Sequence, residues 1–139
     1  MSIGKFIQAV STIGIADDAG VFVVDDDQQR EGNVVATAVS RVFCDAGDRE
    51  GCLIFNLDAL EAALSWHELL DGLKAIDADF SLVAGFEISA KPGYVRFDFP
   101  IVACTYDRSQ NRVLVAAKGL KDLAKMLESL WEQMSNEEE

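Results

Sequence analysis

His67 is the chain's only histidine, and imidazole is the commonest general base near neutral pH. Its neighbours Ser65 and Glu68 lie within two positions of it, and residues that close on a helix do not face each other. A helical wheel sets His67 between Leu60 and Ala63, at a core edge or in solvent, so no local triad forms. The thiols number three, Cys44, Cys52 and Cys104, with no CxxC pair, which disfavours a disulfide framework and a zinc knuckle. Cys44 and Cys52 flank the segment 45–51 and could meet across a hairpin; burial as small hydrophobes is the simpler expectation.

Carboxylates are the abundant reactive group. Asp25, Asp26 and Asp27 with Glu31, and Asp45 and Asp48 with Glu50, are dense enough to surround a hard cation. Neither segment has the alternating ligands, sixth-position glycine and distal Glu of an EF-hand, so solvated loops are expected. Arg96 and Asp98, two apart, should share a strand face as a surface ion pair. GxGxxG, GxxxxGK[ST], HExxH and GxSxG are all missing from the chain. The expectation is therefore a non-enzymatic protein, with no catalytic residue, no metal ligand and no cofactor.

The elements that would carry these groups alternate in period. Phe80, Leu82, Ala84, Phe86 and Ile88 point one way and their neighbours the other; the turn Lys91-Pro92-Gly93 follows, and Val95, Phe97, Phe99, Ile101 and Ala103 resume the pattern. Pro100 cannot donate to a ladder, which makes its strand an edge, a bend or a bulge. A third strand runs from Arg112 to Ala117. The first half reads similarly: a helix over 2–12 ended by Gly14, a strand over 21–24, a polar loop over 25–32, strands over 33–44 and 52–55, and a helix capped by Asn56 or Asp58 and running to about Ile76. In the last helix Leu120, Leu123, Met126, Leu127, Leu130, Trp131 and Met134 make one apolar stripe. The fold class is thus α+β, with about six strands in two three-stranded antiparallel meanders and helices packed on the sheet in the order αβββαβββα. Such an order suggests a duplication, with 20–64 corresponding loosely to 85–123. One domain over 1–136 with a disordered acidic tail at 137–139 is expected.

Charge narrows the partners. The formal net charge is −12; residues 1–79 hold 15 acidic and 5 basic side chains, residues 80–139 hold 9 and 7. A field of that sign repels nucleic acid and anionic membrane and suits a basic protein. The run 3–15 is too polar to span a bilayer or serve as a secretory core, and 16–19 is a poor cleavage site, so a cytoplasmic location is expected. The leading expectation is a protein-binding module, an adaptor, inhibitor or chaperone. Its candidate contact residues are Asp17, Asp18, Asp25, Asp26, Asp27, Glu31, Asp45, Asp48 and Glu50, with Trp131 on the last helix. One alternative is a phage-type inhibitor whose carboxylates imitate nucleic-acid phosphates, which requires these loops to gather at one end of the sheet. The other is a small-ligand binder or enzyme with an apolar pocket lined by Trp66, Phe86, Tyr94, Phe97 and Phe99. The middle helix is apolar on most sides, which suits a homodimer.

Overall fold

A computed structural model of the chain describes residues 1–27, 36–55, 63–90 and 93–123, together with Lys125, Glu128, Ser129 and Glu132. Six strands close into a barrel in chain order: β1 (Gly20–Asp25), β2 (Thr37–Asp45), β3 (Glu50–Phe55), β4 (Ser81–Ala90), β5 (Gly93–Asp107) and β6 (Arg112–Ala117). Within each set of three the pairing is antiparallel. The sets join through two parallel pairs, β3 with β4 and β6 with β1. The sheet is therefore mixed and closed: the six strands and their mostly antiparallel pairing are as expected, and the two parallel pairs correct the expectation of a wholly antiparallel sheet. A segment carrying a helix connects β3 to β4, and a crossover of that length is what a parallel pair requires. Closure removes sheet edges; Pro100 is accommodated next to a register shift between Ile101 and Ala103.

Two α-helices are described, not three: α1 (Ile3–Val10) and α2 (Trp66–Lys74). Beyond β6, Gly119 takes a left-handed φ of 90° and a 3-10 turn spans Leu120–Asp122. Leu123, Lys125, Glu128, Ser129 and Glu132 are helical, and Leu120 and Leu123 pack on the barrel core. The rest of the expected apolar stripe, Trp131 included, lies outside the described residues, as do Glu31, residues 33–35, the caps Asn56 and Asp58, Lys91, Pro92, the Tyr94 side chain and the 137–139 tail. No helix among the described residues is long and apolar enough to cross a membrane.

The two halves repeat each other more closely than residue identity suggests. Ser2 and Ser65 each cap a helix by accepting from the backbone N–H three residues on, both at 3.2 Å. Each helix then buries three residues, Ile3, Phe6 and Val10 in α1 and Trp66, Leu69 and Leu73 in α2. The helices are exchanged. Ile3 N–H donates to Phe80 O and Leu82 N–H to Met1 O, both 2.9 Å, which ties α1 to the start of β4. Trp66 N–H donates to Ala19 O at 2.7 Å and Val21 N–H to Leu64 O at 2.9 Å, which ties α2 to the start of β1 in the same way. The register shift between Val39 and Arg41 in β2 matches that between Ile101 and Ala103 in β5. The repeat thus relates 2–55 to 65–117, rather than 20–64 to 85–123, and α1 belongs to the first copy.

These shifts explain the interior. Phe97, Phe99 and Ile101 point inward, but beyond the shift Cys104 and Tyr106 take over and Ala103 faces out. In β2 the corresponding sequence is Val39 in, then Val42 in, with Ser40 Oγ donating to Ile54 O at 3.2 Å in the bulge. Inward residues of both halves fill the barrel together with the helix residues as one core.

Candidate functional site

The most concentrated chemistry lies on the outer face of β2–β5. Arg96 leaves β5 and slants across β4 and β3. It can lie flat because Gly85 has no side chain: a Cβ there would sit 3.1 Å from both Arg96 Cδ and Ile54 Cδ1. Beneath it, Cys52, Ile54 and Val83 are buried although they face away from the barrel interior. The guanidinium ends in a ring of carboxylates. It donates to Asp98 through Nε (2.7 Å) and Nη2 (2.9 Å) and to Asp45 Oδ2 through Nη2 (2.7 Å), with Glu50 Oε1 at 3.8 Å. Only 20 % of the Arg96 side chain is exposed, so its apolar stem roofs the cluster while its head neutralises acids. What the sequence presents as an Arg96–Asp98 surface pair is the hub of a network.

Phe43 completes the face. Its ring is 41 % exposed and lies 5.7 Å from the Arg41 guanidinium carbon and 5.6 Å from that of Arg96. Arg41 is itself held by Glu87 at 2.7 Å. The turn beside it is fixed by Asp45, whose Oδ1 accepts from Asp48 N–H at 3.1 Å, and by Arg49 at a left-handed φ of 56°.

The electrostatics are uneven. The Arg96 hydrogen bond holds the Asp45 carboxyl below the usual range. Burial, and then the charges of Asp98 and Asp48, push that of Glu50 up. The bonds from Asp98 and Asp45 raise Arg96 further. Asp45, Asp48 and Glu50 place oxygens within 4.8 Å of one another, but both Asp45 oxygens are in use. Arg96 already supplies positive charge to this cluster.

The other candidates fall into place by strand direction. β1, β3, β4 and β6 start and β2 and β5 end at one end of the barrel, which the helices close; the Asp45–Glu50 turn lies there, and Asp17 and Asp18 are exposed at the same end beside the Asp107–Arg112 hairpin, where Asp18 Oδ1 accepts from Asn111 Nδ2 at 3.0 Å. Asp25, Asp26 and Asp27 lie at the opposite end. Asp25 is no loop residue: it ends β1, is 4 % exposed, and accepts from Asp27 N–H at 3.0 Å as a helical turn begins. Among the described residues its Oδ2 has no hydrogen-bond partner.

His67 Nε2 sits 3.3 Å from Asp71 Oδ2 on α2, with both side chains about two-thirds exposed. The four-residue spacing was readable in the sequence and makes an open helix pair. The three cysteines are free. Cys52 stands opposite Phe43 and Cys44 opposite Gly51, so the two occupy opposite faces of the hairpin. Burial pushes the Cys52 and Cys104 thiols up to about 12, far from thiolate reactivity at neutral pH. Of the expected pocket lining, Phe86, Phe99 and Trp66 are core residues, with the rings of Phe86 and Phe55 (5.4 Å) and of Trp66 and Phe6 (6.3 Å) packed at a tilt.

Comparison with known proteins adds no relative: no family model, no curated protein and no solved structure matches this chain.

Proposed function

We propose that this protein is a non-enzymatic protein-binding module that engages a basic partner through its acidic surface. The observation that carries this reading is the cluster of Asp45, Asp48 and Glu50 at the helix-closed end of the barrel, on the same hairpin as the exposed Phe43; Asp17 and Asp18 add exposed charge at that end beside the other hairpin. Excess negative charge raises the rate of encounter with a basic surface, and a rigid exposed aromatic ring is the kind of side chain that anchors interfaces. The apolar stripe of the C-terminal helix offers a second contact in this reading, with Trp131 as its largest side chain.

The mimicry of nucleic-acid phosphates draws less support, because Asp25, Asp26 and Asp27 stand at the other end of the barrel. The pocket reading draws less because Trp66, Phe86, Phe97 and Phe99 pack in or against the core.

Affinity capture of the tagged protein from its native lysate at low and high salt, followed by thermal shift with the purified captured protein, tests the proposal. Stabilisation by that protein, lost at high salt, is expected. Stabilisation by a small-molecule library alone would overturn it.

A further inference from the structure

The duplication supplies an internal control for the outer face. The hairpin Asp45–Glu50 and the hairpin Asp107–Arg112 have the same frame. Each opens with an aspartate whose Oδ1 accepts from the backbone N–H three residues on, at 3.1 Å from Asp48 and 3.4 Å from Gln110. Each has a left-handed residue before the next strand, Arg49 at 56° and Asn111 at 50°. Behind each hairpin lies a small outward cluster, Cys52, Ile54 and Val83 in one case and Val24, Leu114 and Ala116 in the other, the latter joined by Phe22.

On this shared frame the exposed positions differ. Arg41, Phe43, Asp48 and Glu50 stand where the second half has Ala103, Thr105, Gln110 and Arg112. In the second half the turn aspartate is neutralised from its own hairpin, since Arg112 Nε lies 3.3 Å from Asp107 Oδ2, and Asn111 Nδ2 donates to Asp18 Oδ1 at 3.0 Å. In the first half that arginine's place is taken by Glu50, and Asp45 draws its cation from distant Arg96. The face of the first half therefore holds two guanidiniums, Arg41 and Arg96, against five carboxylates, Asp45, Asp48, Glu50, Glu87 and Asp98. Arg49 at the same turn stacks on Phe80, 5.6 Å away. The barrel does not need this excess, because its twin folds without it.

We infer that the outer face of the first half, centred on Phe43, is the docking surface for an arginine- or lysine-bearing segment of a partner protein, whose cation seats against Asp48 and Glu50 beside the Phe43 ring. This rests on the protein-binding reading above and names its site and chemistry. Charge complementarity selects the occupant: a second copy would bring the same acid excess face to face, whereas a basic side chain relieves the repulsion among Glu50, Asp48 and Asp98. Phe43 gives that side chain's stem an apolar contact.

The test uses the full chain and a hexa-arginine peptide as probe, followed by backbone NMR at low salt, with hexaglutamate as control. Shifts concentrated at residues 41–50, 87, 96 and 98 are expected. The triple variant Phe43→Thr, Asp48→Gln, Glu50→Arg gives the first half the second half's residues on a frame that already carries them. It is expected to keep its melting temperature within a few degrees and to bind the peptide at least tenfold more weakly. The reciprocal variant Thr105→Phe, Gln110→Asp, Arg112→Glu is expected to create new shifts on the second half, which keeps the proposal testable if the first variant folds poorly. Wild-type shifts centred on Asp17 and Asp18, or undiminished binding by the triple variant, would overturn the inference. Salt-sensitive capture of a partner that survives the triple variant would overturn this site while leaving the protein-binding reading intact.

Discussion

The two halves of the barrel solve one problem in two ways. Each must cover a patch of outward-facing apolar side chains behind its hairpin. The second half uses bulkier apolar residues, Phe22, Val24 and Leu114, whereas the first pairs Cys52 and Val83 with a bare Gly85 and lays Arg96 over the gap. The difference shows which features the backbone demands and which it merely tolerates. The capping serines, the turn aspartates, the left-handed turn residue and the register shifts recur in both copies, and the serines and aspartates accept from backbone N–H groups that would otherwise go unpaired. Charge and exposed bulk do not recur, so they are free to serve something other than folding.

The sharpest way to break the equivalence lies inside the barrel. Gly51 corresponds to Val113, yet a Cβ at Gly51 would meet Ile3 Cδ1 at 2.6 Å. Ile3 is fully buried, so Gly51→Val overpacks the site and is expected to cost about 3 kcal/mol in urea unfolding. Adding Ile3→Ala should return part of that loss, because it removes the opposing atoms. A neutral Gly51→Val would mean that the two interiors are interchangeable and the comparison less sharp than the contacts imply.

Next in size is the roof itself. Arg96→Ala strips both the cover from Cys52 and Ile54 and the cation from Asp45, Glu50 and Asp98, and a loss of about 2 kcal/mol is expected. Arg96→Met restores the stem without the charge. It should recover the covering part and leave a deficit that shrinks as salt screens the stranded carboxylates. In the other half Arg112→Ala should cost less than half as much, since Arg112 meets Asp107 at 3.3 Å whereas Arg96 gathers Asp45, Asp98 and Glu50. Equal losses for Arg96→Ala and Arg112→Ala, measured by denaturation at one salt concentration, would remove the distinction between the two faces.

Much of this frame was legible in the sequence. Alternation over 80–89 marks β4, and the 112–117 strand is found at the expected bounds; the middle helix, expected to run unbroken from Asn56 or Asp58, instead starts at Trp66 behind Ser65, because Leu64 and Ser65 pair with β1 and β2. The closed barrel was not legible, because alternation says which residues share a face and nothing about which strands meet across a crossover. Nor was the register of the duplication: Ile101 and Ala103 look like neighbours on one face until a bulge separates them. Asp25 reads as loop because it opens a run of three aspartates, whereas its place is set by β1 pairing with β6 through Ala117. The site hub was half visible. Arg96 and Asp98 announce a pair by their spacing, but the reach to Asp45 depends on Gly85 lying under the guanidinium's path, a relation that only three-dimensional pairing creates.

The smallest expected effect separates the halves by acid titration. Asp45 and Asp107 both have depressed carboxyl pKa values, the first through Arg96 and the second through the Ser109 hydroxyl and then Arg112. Each is protonated more readily in the unfolded chain, so its contribution to stability is present above the ordinary value of 3.8 and is lost as the pH falls through the folded value. Both halves share that behaviour. Glu50 runs the other way. Its folded pKa is raised above 4.5, the native state holds the proton more tightly, and stability falls as the pH rises from 4.5 through the folded value. The matching position in the second half, Arg112, carries no carboxyl. Glu50→Gln therefore removes a penalty carried by the first half alone: relative to wild type, the variant should gain stability between pH 4 and pH 7, by a fraction of the effect of Arg96→Ala. Urea unfolding of both proteins at the two pH values checks this, and a difference that stays constant across them would show that Glu50 feels neither its burial nor the charges of Asp98 and Asp48.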